Sequence, residues 1–322
     1  MIKLFSISYS VVRMPAFKIM GTVMQSITIL DGGMGRELER RGAPFKQPEW
    51  SALAMMEAPE IVKDVHKAFI EAGSRVITTN SYALVPFHIG EDVFQQRVTE
   101  LVIESARVAR EAANESDADV KVAGSLAPLF GSYRSDLYEA DRAEQIARPI
   151  IEALAPHVDL WLNETQSLLA ETLQVKALVD EIDGQNKPYW VSFTLEDAEV
   201  TDQPRLRSGE TVKEAVAAVT KAGVNGILFN CCQPEIIADA IQVATSVLSD
   251  SNQPVQLGAY ANAFPPQPKD ATANDGLDEL RDDLTPDSYL EWAQRWKELG
   301  ATLIGGCCGI GPDHVKVLAK HL

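Results

Sequence analysis

EAGSRVITT (residues 71–79), KAGVNGILF (221–229) and ELGATLIGG (298–306) are three versions of one phrase. In each, an amphipathic segment ends at a glycine and a short aliphatic or β-branched run begins within three residues. Gly73, Gly223 and Gly300 stand where a helix C-cap favours a residue free to take positive φ. The runs that follow read as strands covered on both faces. Helix, glycine and buried strand is the junction of a βα unit, and its recurrence favours a cyclic α/β architecture over two unrelated domains.

Working outward from these junctions, eight strands are expected: Ile27 to Leu30, Arg75 to Thr79, Val120 to Gly124, Val158 to Asn163, Tyr189 to Thr194, Gly226 to Asn230, Val255 to Tyr260 and Thr302 to Gly305. Helices are expected between them, over Ala58 to Ala72, Asp92 to Ala113, Ala143 to Ala155, Leu168 to Ile182, Thr211 to Ala222, Pro234 to Leu248, Pro286 to Leu299 and Pro312 to Lys320. Thr285 before Pro286 is an N-cap followed by proline at the first helical position. Eight such units fit either an open doubly wound sheet or a closed barrel. Unusual polar residues follow the C-terminal ends of at least six strands, and in a barrel those ends converge on one mouth. A single (β/α)8 TIM barrel over residues 26–322 is therefore expected.

The 322 residues suit one such barrel, and 46% hydrophobic with 23% charged residues supplies a core without the composition of a disordered chain. The net charge of −17, with no basic cluster to reverse it, argues against a nucleic-acid partner. No stretch approaches the apolar length of a membrane span. Residues 1–25 lack a sustained apolar run with a small-residue cleavage pattern, so they read as an extension outside the fold, with Met20 and Met24 as alternative starts.

All four cysteines occur as two adjacent pairs, in NCCQPE (230–235) and GGCCGIGPDH (305–314), each at a strand end. Scattered cysteines would read as small buried hydrophobes. Paired ones at two strand ends point instead to metal or redox chemistry in a reducing cytoplasm. Three thiolates with an open fourth position are a catalytic zinc set at the barrel's C-terminal mouth. Such a metal would deprotonate a substrate thiol whose unperturbed pKa is about 8.5.

The whole span from Asp31 to His314 resembles the homocysteine S-methyltransferase family. The resemblance rests on DGGMGRELERRG (31–42), TTNSY (78–82), AGSLAP (123–128), NET (163–165), FNCCQP (229–234) and GGCCG (305–309). It implies a zinc-bearing barrel that moves a methyl group onto the sulfur of homocysteine to give methionine. Its zinc ligands correspond to Cys231, Cys307 and Cys308. Cys231 is preferred to Cys232 because the family's cysteine directly follows an asparagine, here Asn230; Cys232 stands where a small hydroxyl residue is usual, and a ligand swap stays open. The resemblance implies that Asp31 and Glu164 hold the homocysteine ammonium, which needs a paired carboxylate in a partly dry site. Alternatively, Asp31 is an Asp-Gly turn residue and Glu164 a helix N-terminal acid.

Further candidates for substrate binding are Glu37, Asn80, Tyr82, Gly124, Ser125 and Thr165. Tyr82 offers an aromatic face to a methylated cation. Tyr260 and Asn262, in GAYANAF, are candidates to bind the homocysteine carboxylate or to brace the zinc loop. The five histidines show no metal spacing. Because the chain ends soon after GGCCG, the expected donor is a small sulfonium, S-methylmethionine first, with S-adenosylmethionine or betaine behind it. The protein is expected to be a monomer or a small homo-oligomer. Two other classes stay open: a related zinc barrel using another thiol or demethylating an onium compound, and a non-catalytic thiol redox protein with Cys232 closing the metal site.

Overall fold

A computed structural model describes residues 26–199, 201–251, 253–268, 271–272 and 279–322. The extension expected over residues 1–25 lies outside the described residues. Eight parallel strands occur among them: β1 (Thr28–Ile29), β2 (Val76–Thr78), β3 (Lys121–Leu126), β4 (Leu160–Gln166), β5 (Tyr189–Phe193), β6 (Gly226–Asn230), β7 (Gln256–Tyr260) and β8 (Ala301–Ile304). Their order is β1-β8-β7-β6-β5-β4-β3-β2, a sequential ring and not the reversed order of a doubly wound sheet. At the seam the Arg75 N–H donates to Ile29 O at 2.8 Å, and the Asp31 carboxylate accepts the Thr78 N–H at 2.7 Å. A side chain thus continues the pairing where β1 is too short to do so.

The eight expected helices are present as α3 (Pro59–Ala72), α5 (Glu91–Asn114), α6 (Ala140–Leu154), α7 (Leu169–Ile182), α8 (Val212–Lys221), α9 (Pro234–Ser249), α10 (Pro286–Glu298) and α11 (Pro312–His321). Three short ones were not expected: α1 (Met34–Arg40), α2 (Ser51–Glu57) and α4 (Pro86–Ile89). Gly73, Gly223 and Gly300 all take positive φ, at 121°, 81° and 108°. The Thr285 hydroxyl accepts the Ser288 N–H, so α10 begins as its sequence indicates.

Strand alternation divides the core in two. Inside the barrel lie Leu30, Val76, Leu160, Leu162, Trp190, Leu228 and Leu303. Outside, residues of opposite parity, such as Val191, Phe193, Ile227 and Phe229, pack against the helices. Among the described residues no helix is long and apolar enough to cross a membrane.

Candidate active site

The turn after β1 and the loop after β8 are packed backbone to backbone. A Cβ on Gly33 would lie 2.6 Å from Cys307 O, and one on Gly32 would lie 2.2 Å from Ile310 O. The Gly33 N–H donates to Ile310 O and the Gly306 N–H to Asp31 O, both at 2.9 Å. DGG and GGCCGIG therefore form one interlocked surface, and the glycines are there because nothing larger fits. On the other side, β7 lies between β6 and β8, with Asn230 paired to Tyr260 and the Cys307 N–H donating to Ala261 O. Cys231 and Cys307 consequently flank the small Ala261.

The Sγ atoms of Cys231, Cys307 and Cys308 all lie within 4.8 Å of one another, with Cys231 and Cys307 at 2.9 Å. Regular alternation along β6 puts Leu228 inside and Phe229 outside, so Asn230 should face in and Cys231 out. Cys231 instead adopts φ 52°, and this left-handed residue turns it into the mouth and sends Cys232 to the outer core. Such a conformation costs a non-glycine residue on the order of 1–2 kcal/mol. It is held by the Thr194 hydroxyl, 3.1 Å from Cys231 O, and by the Tyr133 hydroxyl at 3.4 Å. Cys232 is fully buried and outside the sulfur cluster, so it does not close the site.

The same device operates on β4. Its register against β5 slips between Asn163 and Gln166, and Thr165 takes φ 58°, rare for a β-branched residue. Adjacent Glu164 and Thr165 therefore both line the cavity, which a regular strand forbids. Asn230 stabilises this bulge: its Oδ1 accepts the Thr165 N–H (3.1 Å) and the Ser192 hydroxyl (2.6 Å), and its Nδ2 donates to Thr165 Oγ1 (2.9 Å).

The cavity at the C-terminal mouth has a volume of about 190 Å³. Cys231, Cys307 and Cys308 line it together with Asp31 and Glu164, and Trp50, Tyr82, Tyr133 and Phe264 supply aromatic faces. Glu164 sits in a strand, which removes the helix-terminus reading; it accepts hydrogen bonds from Ser125 Oγ and, at 3.3 Å, from Tyr260 OH. Asp31 accepts both the N–H and the hydroxyl of Thr78 across the seam, so its role is not that of a local turn. Burial pushes both carboxyls up to about 7, and the charge of Glu164 adds to the rise at Asp31. Among the described residues neither forms an ion pair with Lys, Arg or His.

Three neighbouring thiols cannot all ionise without a compensating cation. Hydrogen bonds from Cys231 and Cys307 hold Cys308 well below the usual thiol value, while hydrogen bonding to Cys231 and Cys308 and burial push Cys307 well above it. One thiolate supported by two thiols is a donor set ready for a soft divalent cation, and the residues fit a metal.

The remaining expected residues divide by position. Tyr82, Asn80, Thr165 and Tyr260 line the cavity; Tyr82 hydroxyl pairs with Ser132 and Asn80 Nδ2 donates to Ser51 O. Ser125 lies behind Glu164, and Asn262 is fully buried behind the mouth, with its Oδ1 accepting the Phe264 N–H. Glu37 is taken up by Arg40 and Arg41, and Gly124 packs against Trp161 and Val158, so neither faces the cavity. Of the histidines, His88 reaches the wall, with Nδ1 bonded to Pro48 O, while His66 is buried in α3.

Sequence reasoning missed Trp50, Tyr133 and Phe264. It also missed a buried ion pair, Arg207–Asp197 at 2.8 Å. The Arg207 guanidinium stacks 4.4 Å over Tyr133, and Asp197 accepts the N–H groups of Gln233 and Gln267. Loops after β3, β5, β6 and β7 are thereby tied together behind Cys231. The two charged residues are ten apart in a loop and carry no motif.

Comparison with known proteins places this geometry. The homocysteine S-methyltransferase family pattern matches residues 28–322. Homocysteine S-methyltransferase 1 of Brassica oleracea var. italica is 27% identical, covering 91% of this chain and 93% of the relative. Selenocysteine Se-methyltransferase of the same species is also 27% identical, covering 91% of this chain and 88% of the relative. The crystal structure of the metallated homocysteine methyltransferase MmuM from Escherichia coli is 28% identical, covers 92% of this chain and 97% of its own, and superposes with a TM-score of 0.74. The interlocked glycine turns, the three clustered thiols and the match across nearly the whole barrel lead to one conclusion: the chain belongs to the homocysteine S-methyltransferase family.

Proposed function

We propose that this protein, as one barrel domain spanning residues 26–322, transfers a methyl group from a small onium donor to the sulfur of L-homocysteine, giving methionine. The observation that carries the reading is a single cavity lined by three clustered sulfurs and by two carboxylates that pair with no cation among the described residues. An amino acid bearing both an ammonium and a thiol complements both sets of groups at once.

Asp31 and Glu164 bind the homocysteine ammonium, with Ser125 and Tyr260 fixing the Glu164 carboxylate and Thr78 fixing Asp31. Cys231, Cys307 and Cys308 are the ligands for Zn2+, which when bound accepts the substrate sulfur and keeps it deprotonated at neutral pH. Tyr82, Trp50 and Phe264 present aromatic faces to the positively charged donor and exclude water from it. Thr165 holds the wall beside Glu164. With S-methylmethionine as donor the balance is simple: the thiol proton leaves, the homocysteine sulfur gains the methyl, and the donor sulfonium becomes a neutral thioether, so two methionines result. The contribution of the protein is positioning in line. Thiols that must stay reduced to hold a metal suit a reducing compartment, the cytoplasm, and the net charge of −17 supports small-molecule partners over nucleic acid.

The test is methionine formation by the zinc-loaded protein from L-homocysteine, with S-methylmethionine, S-adenosylmethionine and betaine compared as donors and L-selenocysteine as a second acceptor. Methionine is expected, fastest with S-methylmethionine. A zinc-replete protein that forms no methionine from any donor would overturn the proposal.

A further inference from the structure

We infer that Asp197 and Arg207 are positioning residues for the metal: this buried pair holds Cys231 in the left-handed turn that brings its sulfur to Cys307 and Cys308. The inference rests on the zinc reading above and deepens it. With side chains 1% and 0% exposed, Arg207 and Asp197 have both lost their water, and Arg207 Nε is buried with no acceptor among the described residues. A fold gains little from such a pair, because desolvation offsets the attraction. Its contacts converge instead on one short stretch of backbone, residues 231–233.

Each of the three residues is pinned through its main chain. Cys231 O accepts the hydroxyls of Thr194, at 3.1 Å, and Tyr133, at 3.4 Å, and the Tyr133 ring lies 4.4 Å from the Arg207 guanidinium stacked on it. Cys232 O accepts the Asn262 N–H at 3.2 Å. The Gln233 N–H donates to Asp197 Oδ2 at 3.2 Å, while Asp197 Oδ1 accepts Arg207 Nη2 at 2.8 Å and the Gln267 N–H at 3.1 Å. Arg207 Nη1 also donates to Gln267 O at 3.2 Å, so the loop after β7, which carries Asn262, is anchored to the same two charges. The pair thus grips both sides of the turn at Cys231. Without that grip Cys231 can relax to the extended backbone of its strand, and alternation then points its sulfur to the outer core. The relaxed turn competes with the left-handed one in the metal-free protein, and the apparent metal affinity falls with the fraction of chains that have all three sulfurs in place.

The deciding experiment equilibrates the zinc-loaded full chain with graded amounts of a chelator and counts the zinc retained. Asp197→Leu combined with Arg207→Met removes both charges at once, so that neither is left buried alone. The double variant is expected to hold zinc about 5- to 30-fold more weakly, which is the cost of one left-handed residue, on the order of 1–2 kcal/mol, converted at about 1.4 kcal/mol per tenfold. Its metal-free form should melt close to the metal-free wild type, and cobalt-loaded samples should lose their thiolate-to-metal absorption over the same shifted chelator range. Asp197→Asn, which keeps one acceptor oxygen, should show a smaller loss in the same direction. Wild-type zinc affinity in either folded variant would overturn the inference. Loss of the folded state in both variants would make the pair a stabiliser of the barrel and overturn it as well. A wild-type chain that retains no zinc at any chelator concentration would overturn the zinc reading itself, and the inference with it.

Discussion

Cys307→Ala is expected to lose its metal and to form methionine about 3 × 10³-fold more slowly than the wild type, by two multiplying losses. A free thiol with a pKa of about 8.5 is only about 3% ionised at pH 7, which removes a factor of about 30. Loss of the fixed sulfur position removes a further factor of about 10². Cys307 is central to the effect because it touches Cys231 at 2.9 Å and its backbone is fixed by Ala261. Cys232→Ala is the contrasting variant: its sulfur is buried in the outer core, outside the cluster, so one zinc per chain should remain. Metal analysis and methionine formation on the two variants check this together. Retention of zinc by Cys307→Ala alongside loss of zinc by Cys232→Ala would reverse the ligand assignment.

Glu164→Gln is expected to weaken binding of L-methionine, a ligand with the ammonium but no thiol, by about 100-fold or more at pH 8, because an ammonium would be buried without its partner. The pH dependence follows from the same burial. Asp31 and Glu164 have folded-state pKa values of about 7, above their ordinary 3.8 and 4.5. In the ligand-free protein the stability associated with their neutral forms is therefore fully present below about pH 4 and is lost as pH rises through about 7. Binding an ammonium requires the ionised forms, so the inhibition constant of methionine should fall as pH rises from about 5.5 to 7 and level off above. Glu164→Gln should flatten that profile, leaving the Asp31 step. A constant that is the same at pH 5.5 and 8 in the wild type would contradict the role given to the two acids.

Much of the barrel is legible in the chain because its strands are short aliphatic runs bounded by glycines whose positive φ the backbone requires. All eight strands fall within two residues of the expected bounds at their N-terminal ends, and β6 matches at both. β1 is shorter than expected because Asp31 takes over its hydrogen bonding at the seam. The cysteines were legible as a cluster because paired thiols at two strand ends have few other uses. What the chain does not announce is conformation that opposes propensity. Thr165 and Cys231 take left-handed backbone that no residue type there predicts, and it is this that turns them into the mouth. Met34–Arg40 reads as part of a motif and not as a helix, because two glycines interrupt its approach and its one fully buried apolar residue is Leu38, with Glu37 buried beside it by Arg40 and Arg41. The aromatic wall is illegible for a different reason: Trp50, Tyr133 and Phe264 come from loops far apart in sequence and meet only once the barrel closes.

The most direct test of the central claim is the sulfur count around zinc, by X-ray absorption on the wild-type protein before and after addition of L-homocysteine. The account predicts three sulfur neighbours at about 2.3 Å in the free protein and four once homocysteine is present. A shell already holding four sulfurs, or one that homocysteine leaves unchanged at three, would contradict it.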